Sequence, residues 1–93
     1  MRPPFRLDIP PHVADRIRSF PPAVKESVKQ TLRLLSRDPG AGDPLRRELE
    51  GYWRYRVRRY RVVYQPVRRV VRIVAVGHRR TIYEELGERL KGN

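Results

Sequence analysis

The chain contains no cysteine, two phenylalanines, one tryptophan and one methionine. Without thiols it can form neither a disulfide nor a thiolate metal site. Long apolar runs are missing as well. The longest, Ile73-Val74-Ala75-Val76, falls far short of the roughly 20 residues of a membrane-spanning helix. The opening MRPPFRLDIPP has no apolar signal segment. The expected location is therefore the cytoplasm, with no membrane partner. The most informative absence is acid. From Gly51 to Arg80 there is not one Asp or Glu, although the whole chain has 10.

What fills that segment is arginine and apolar residues in a two-residue rhythm. Successive strand residues point to opposite faces of a sheet. Tyr52, Arg54, Arg56 and Arg58 can line one face, with Trp53, Tyr55 and Val57 on the other. The result is a cationic face marked with aromatics, suited to phosphates, backed by a face suited to a core. The formal net charge of +12 and pI near 11.3 point first to nucleic acid and next to an acidic protein. Lysine is scarce beside arginine, whose planar fork grips phosphates and stacks on bases.

The length of 93 residues suits one compact domain spanning 1–93. Phe5 to Ile9 alternates and reads as a short strand stopped by Pro10-Pro11. Val13, Ile17 and Phe20 are spaced as one helix face between His12 and Phe20. After Pro21-Pro22, the residues Val24, Val28, Leu32 and Leu35 mark a second helix, ended by Asp38-Pro39-Gly40. A loop runs from Ala41 to Pro44. Three strands follow, Tyr52–Arg58, Tyr60–Gln65 and Val70–Val76, rich in residues that favour a pleated surface. Arg58-Arg59 is a poor hairpin pair, so these boundaries are soft, and Gly77 is expected to break the last strand. Thr81 to Lys91 reads as a terminal helix with Ile82, Leu86 and Leu90 on one stripe. The predicted fold class is α+β, in the order β-α-α-β-β-β-α. A helical hairpin packs on one face of a small, mainly antiparallel sheet, and the opposite face is left for solvent or ligand.

These residues resemble the RelE/ParE toxin superfamily. The likeness rests on Leu45 to Trp53 (LRRELEGYW) and the basic strand Arg54-Tyr55-Arg56-Val57. It continues in Tyr60-Arg61-Val62-Val63-Tyr64 and in Val76-Gly77-His78-Arg79 with Tyr83 after it. It covers nearly the whole chain, and the pieces are specific in combination rather than singly. The resemblance implies the fold just derived and a partly disordered acidic antitoxin as partner. One branch of the superfamily cleaves messenger RNA in the ribosomal decoding site. The other inhibits DNA gyrase and keeps little of the nuclease set.

For RNA cleavage the resemblance points to Arg54, Arg56, Arg61, His78, Arg79 and Tyr83 as catalytic residues. Cations fixed in advance around a phosphate would stabilise the charge of the transition state. Arg61 and Arg79 are the foremost candidates to hold the scissile phosphate. Tyr52, Arg58 and Arg80 are assigned to RNA contact. The chain departs from the well-studied nuclease members, which carry lysines where Arg54 and Arg56 stand. Guanidinium stays charged and is a poor general base. Proton transfer then falls to His78, with Asp43 as a possible carboxylate base. Arginines on a solvated strand face without chemistry are the plain alternative. For Trp53, Tyr55, Tyr60 and Tyr64, core packing is the better reading. No phosphate-cradling glycine loop, zinc-protease motif or cysteine ligand set is present, so no metal and no cofactor are expected. The expected function is that of a toxin acting as a metal-independent endoribonuclease on ribosome-bound mRNA. A gyrase inhibitor, or an inert basic binding module, is the alternative.

Overall fold

The computed structural model describes residues 5–91. Its elements run β1 (Arg6–Asp8), α1 (Pro11–Arg18), α2 (Pro22–Arg37), β2 (Asp43–Pro44), β3 (Trp53–Val57), β4 (Tyr60–Val67), β5 (Val70–His78) and α3 (Ile82–Lys91). Short 3-10 turns at Pro39–Ala41 and Arg47–Leu49 flank β2. The sheet order is β1-β5-β4-β3-β2. Only β1 and β5 pair in parallel; the other neighbours are antiparallel.

Prolines punctuate the helical hairpin. Pro11 and Pro22 open α1 and α2, where the missing N–H costs nothing and the fixed φ suits a first helical turn. Asp38 precedes Pro39 and leaves the helical region at φ −140, ψ 81, as a residue before proline must. Val28, Thr31, Leu32 and Leu35 form the buried stripe of α2. The Thr31 hydroxyl is satisfied by donating to the Ser27 carbonyl at 3.0 Å. This stripe and Val13, Ile17 and Phe20 pack on Val57, Val62, Tyr64, Val71, Ile73 and Val76 of the sheet.

The second face of the sheet is not left open, contrary to expectation. Helix α3 lies on it, with Ile82 and Leu86 fully buried against Val63 and Ala75. The reason is local. Val62, Val63 and Tyr64 are all buried, so this part of β4 has apolar side chains on both faces. The register with β5 shifts here: Val63 pairs with Ala75 and Tyr64 with Ile73, leaving Val74 unpaired as a bulge. Gly77 does not break β5. The strand continues to His78, and the missing side chain admits α3. A Cβ at Gly77 would sit 3.2 Å from Ile82 Cδ1.

Among the described residues the outer edge of β5 beyond Arg72 has no strand partner, because β1 pairs only with Val70 to Arg72. Helix α1 guards it. His12 Nε2–H donates to the bulge carbonyl of Val74 at 3.3 Å. Arg16 reaches past the edge to Glu85 of α3 at 3.2 Å.

Both tight hairpins use arginine where glycine or asparagine is preferred. Arg58 has φ 56 and Arg68 has φ 58. Left-handed backbone costs an ordinary L-residue about 1–2 kcal/mol, and asparagine tolerates it better. Arg68→Asn is expected to raise stability by about 1 kcal/mol, or roughly 4–8 °C in melting midpoint for a domain of this size. An unchanged or lower midpoint in thermal denaturation would reject strain at this turn.

Candidate functional site

The ladder places Arg56 directly opposite Arg61, and Arg61 opposite Gly77 on its other side. Two arginines and a glycine thus form one row across β3, β4 and β5. Gly77 leaves the space beside Arg61 free of a side chain on that strand. Arg56 is exposed. Arg61 Nη1 donates to the carbonyls of Tyr60 at 2.8 Å and Arg58 at 3.1 Å, which folds the guanidinium back onto the β3–β4 turn. Neither arginine has a carboxylate within ion-pair distance among the described residues.

Arg54 lies one pleat further along the same face and is differently held. Its Nη1 donates to the Tyr83 hydroxyl at 3.2 Å, and its Nη2 lies 3.5 Å from Asp43 Oδ2. The side chain is only 24% exposed, and its Nε is buried with no hydrogen-bond partner among the described residues. The hydrogen bond with Tyr83, then the nearby Asp43 charge, raise the Arg54 pKa above its ordinary value against the opposing effect of burial. Arg54 is a fixed charge at every working pH.

Direct contact therefore joins Arg54, Asp43 and Tyr83, and strand register joins Arg56 and Arg61. Arg79 is exposed and extends the ladder past His78 by donating its N–H to the Arg59 carbonyl at 2.7 Å. Alternation along β5 puts Gly77 on the side of Arg61 and ends at His78, since Arg79 lies in the turn that follows. It assigns His78 to the other side. There the imidazole meets the Tyr60 ring edge-on at 5.6 Å, and Tyr60 in turn packs on Phe20 at 4.8 Å. His78 Nδ1 accepts from the Arg80 N–H at 3.2 Å. Arg58 and Arg80 are exposed at the turn and beyond the strand end. Tyr52 is half-buried against the α3 cluster. It faces Arg89 and Leu90 across a cavity of about 290 Å³, at the opposite end of α3 from Tyr83. Among the described residues, no group of three or more His, Cys, Asp or Glu side chains gathers to hold a metal ion.

Sequence reasoning assigned Tyr64 to the core alone. Its ring is fully buried, but its hydroxyl donates to the Pro39 carbonyl at 2.7 Å and accepts from the Gly42 N–H at 3.1 Å. These two residues bracket the turn that delivers Asp43 to Arg54. The signal available in the sequence was Gly42 itself. A Cβ there would lie 2.5 Å from the Arg54 carbonyl oxygen and 2.6 Å from the Tyr64 hydroxyl.

A family model described as "ParE toxin of type II toxin-antitoxin system, parDE" matches residues 8–83. The chain belongs to the RelE/ParE toxin superfamily. It is a toxin of a toxin–antitoxin system. The toxin is similar in structure to a chain of the RelBE2 toxin–antitoxin complex of Mycobacterium tuberculosis. That likeness has a TM-score of 0.74 and 30% identity, over 81% of this chain and 98% of that one. It shares its fold with the free toxin RelE of E. coli, studied as a mutant, at TM-score 0.72 and 23% identity over 91% and 92% of the two chains. It also shares the fold of the archaeal RelE–RelB complex of Pyrococcus horikoshii, at TM-score 0.67 and 24% identity over 81% and 94%. Comparison with curated protein sequences gives no match.

Burial pushes the Tyr64 hydroxyl pKa above its ordinary 10.0, against the opposing hydrogen bond from Gly42. The folded state therefore resists ionising this phenol. Its stabilising contribution is complete below the unfolded-state value and is lost as pH rises through and beyond 10.0. Urea midpoints of the toxin are expected to fall across this alkaline range, and less steeply in Tyr64→Phe. An equally steep fall in that variant would remove Tyr64 as the cause.

Proposed function

We propose that the toxin is a metal-independent endoribonuclease that cleaves messenger RNA, with ribosome-bound message as its preferred substrate. The observation that carries this reading is the facing pair Arg56 and Arg61. Like charges directly opposite each other destabilise an antiparallel ladder. Here the pair has no carboxylate partner among the described residues. An anion seated between them would relieve the repulsion once the Arg61 guanidinium turns from the Tyr60 and Arg58 carbonyls toward Arg56, and a phosphodiester is the anion that an arginine pair grips best.

In this mechanism the RNA 2′-hydroxyl loses its proton and attacks the adjacent phosphorus. The bond to the 5′-oxygen breaks, leaving a 2′,3′-cyclic phosphate and a 5′-hydroxyl. Arg56, Arg61 and Arg79 hold the phosphate and stabilise the added negative charge. Tyr83, already held by Arg54, stands to donate a proton to the leaving oxygen. His78 would receive the 2′-proton, which requires its ring to swing from Tyr60 around the end of β5. A cognate acidic antitoxin neutralises the toxin, and complementary charge on the basic face would steer that association.

A second reading is inhibition of DNA gyrase without RNA cleavage. The position of His78 against Tyr60, on the far side of the sheet from Arg61, favours it. Controlled expression with mapping of transcript 5′ ends separates the two. Cuts within translated frames are expected. They should vanish, with recovery of growth, in Arg56→Ala/Arg61→Ala, whose circular dichroism should match the parent. Growth arrest with intact message and inhibited supercoiling would replace the nuclease reading with the second.

A further inference from the structure

The candidate site has one member whose position the surrounding contacts explain only in part. Arg54 carries a buried Nε–H with no acceptor among the described residues, while its two terminal nitrogens meet Tyr83 and Asp43. What holds it is a chain of contacts that begins in the core. The Tyr64 hydroxyl, at the end of a fully buried ring, ties down both ends of the short turn before β2. It donates to Pro39 and accepts from Gly42. Gly42 then lies so close to β3 that a Cβ would meet the Arg54 carbonyl oxygen at 2.5 Å. The next residue, Asp43, pairs with Arg54 in the ladder and reaches its guanidinium with a carboxylate oxygen at 3.5 Å. Arg54 finally holds the Tyr83 hydroxyl.

We infer that Tyr64 is a positioning residue for this toxin. Its hydroxyl fixes the Pro39–Gly42 turn, the turn fixes Asp43, and Asp43 with Tyr83 fixes the guanidinium of Arg54. The inference deepens the nuclease reading and rests on it only for its effect on cleavage. The arrangement has a physical logic. A two-residue strand such as β2 contributes too few ladder bonds to hold a register by itself. A buried hydroxyl bonded to two backbone groups supplies a fixed point that does not depend on the exposed Asp43. A tyrosine that served only as core filling would not need its hydroxyl placed between an acceptor on one side of the turn and a donor on the other. Phenylalanine at 64 would keep the ring and free both backbone groups.

The test reads Arg54 directly. In toxin labelled with ¹⁵N-arginine, the Arg54 Nε–H resonance is assigned by its loss in Arg54→Lys. Its exchange with water is compared in the parent, in Tyr64→Phe and in Gly42→Ala, which pushes the same turn from its other side. Exchange at Arg54 Nε is expected to quicken by about tenfold or more in both variants, while the amides of β4 and β5 stay protected. A purely structural role would loosen those amides together with Arg54. Single-turnover cleavage of message on ribosomes should fall roughly 10- to 100-fold in Tyr64→Phe. In an Arg54→Ala background, Tyr64→Phe should add nothing further, because the two act as one unit. If either folded variant keeps the parental Arg54 exchange, the inference is overturned. If exchange quickens but the parent cuts no message, the positioning role stands and the nuclease reading is the one that fails.

Discussion

Packing of Ile82 and Leu86 onto Val63 and Ala75 is the contact on which the basic face depends. It makes the sheet a middle layer, with the α1–α2 hairpin on one side and α3 on the other. It also decides where polar chemistry can occur. The apolar patch under α3 takes one part of the second face, so the arginines are confined to the remainder, at the end of β3 and β4. Because α3 begins at Ile82, the very next residue, Tyr83, is delivered to Arg54. Gly77 is what allows that approach, since any side chain there would crowd Ile82. The residue that interrupts β-propensity thus joins the two halves of the candidate site.

Most of this architecture could be read from the chain. The α2 stripe of Val28, Leu32 and Leu35 and the proline boundaries carry their own physics, so both helices of the hairpin were placed within a residue or two. The alternation from Trp53 to Val57 separated the core face from the arginine face correctly. Three features were hidden, each for a physical reason. The docking of α3 depends on Val63 being apolar on a face otherwise read as polar, a one-residue exception to the rhythm. The pair Asp43–Pro44 is too short to show a period, so β2 looked like loop. The bulge at Val74 shifts register without leaving any mark on composition.

The candidate site was legible as a set of residue types more than as a set of neighbours. Arg54 and Tyr83 touch, and strand register sets Arg56 opposite Arg61. His78 shows the limit of a motif. Its place after Gly77 suggested closeness to the arginines, but parity along a strand sends adjacent residues to opposite faces, and Tyr60 offers the imidazole an aromatic edge. Tyr64 shows the converse. Parity placed it in the core correctly, while the hydroxyl at the tip of its ring meets a loop 22 to 25 residues earlier in sequence. No local pattern reports a contact of that range.

The guard on β5 has a consequence of its own. A bulge turns a carbonyl outward at a strand margin that no neighbouring strand covers among the described residues, and exposed margins of this kind recruit other chains. His12 occupies that carbonyl, while Arg16 and Glu85 close the gap between the two helices beside it. A valine-rich border with no strand neighbour among the described residues is thereby made less open to pairing with another sheet. The net charge of +12 in turn steers association toward anionic surfaces.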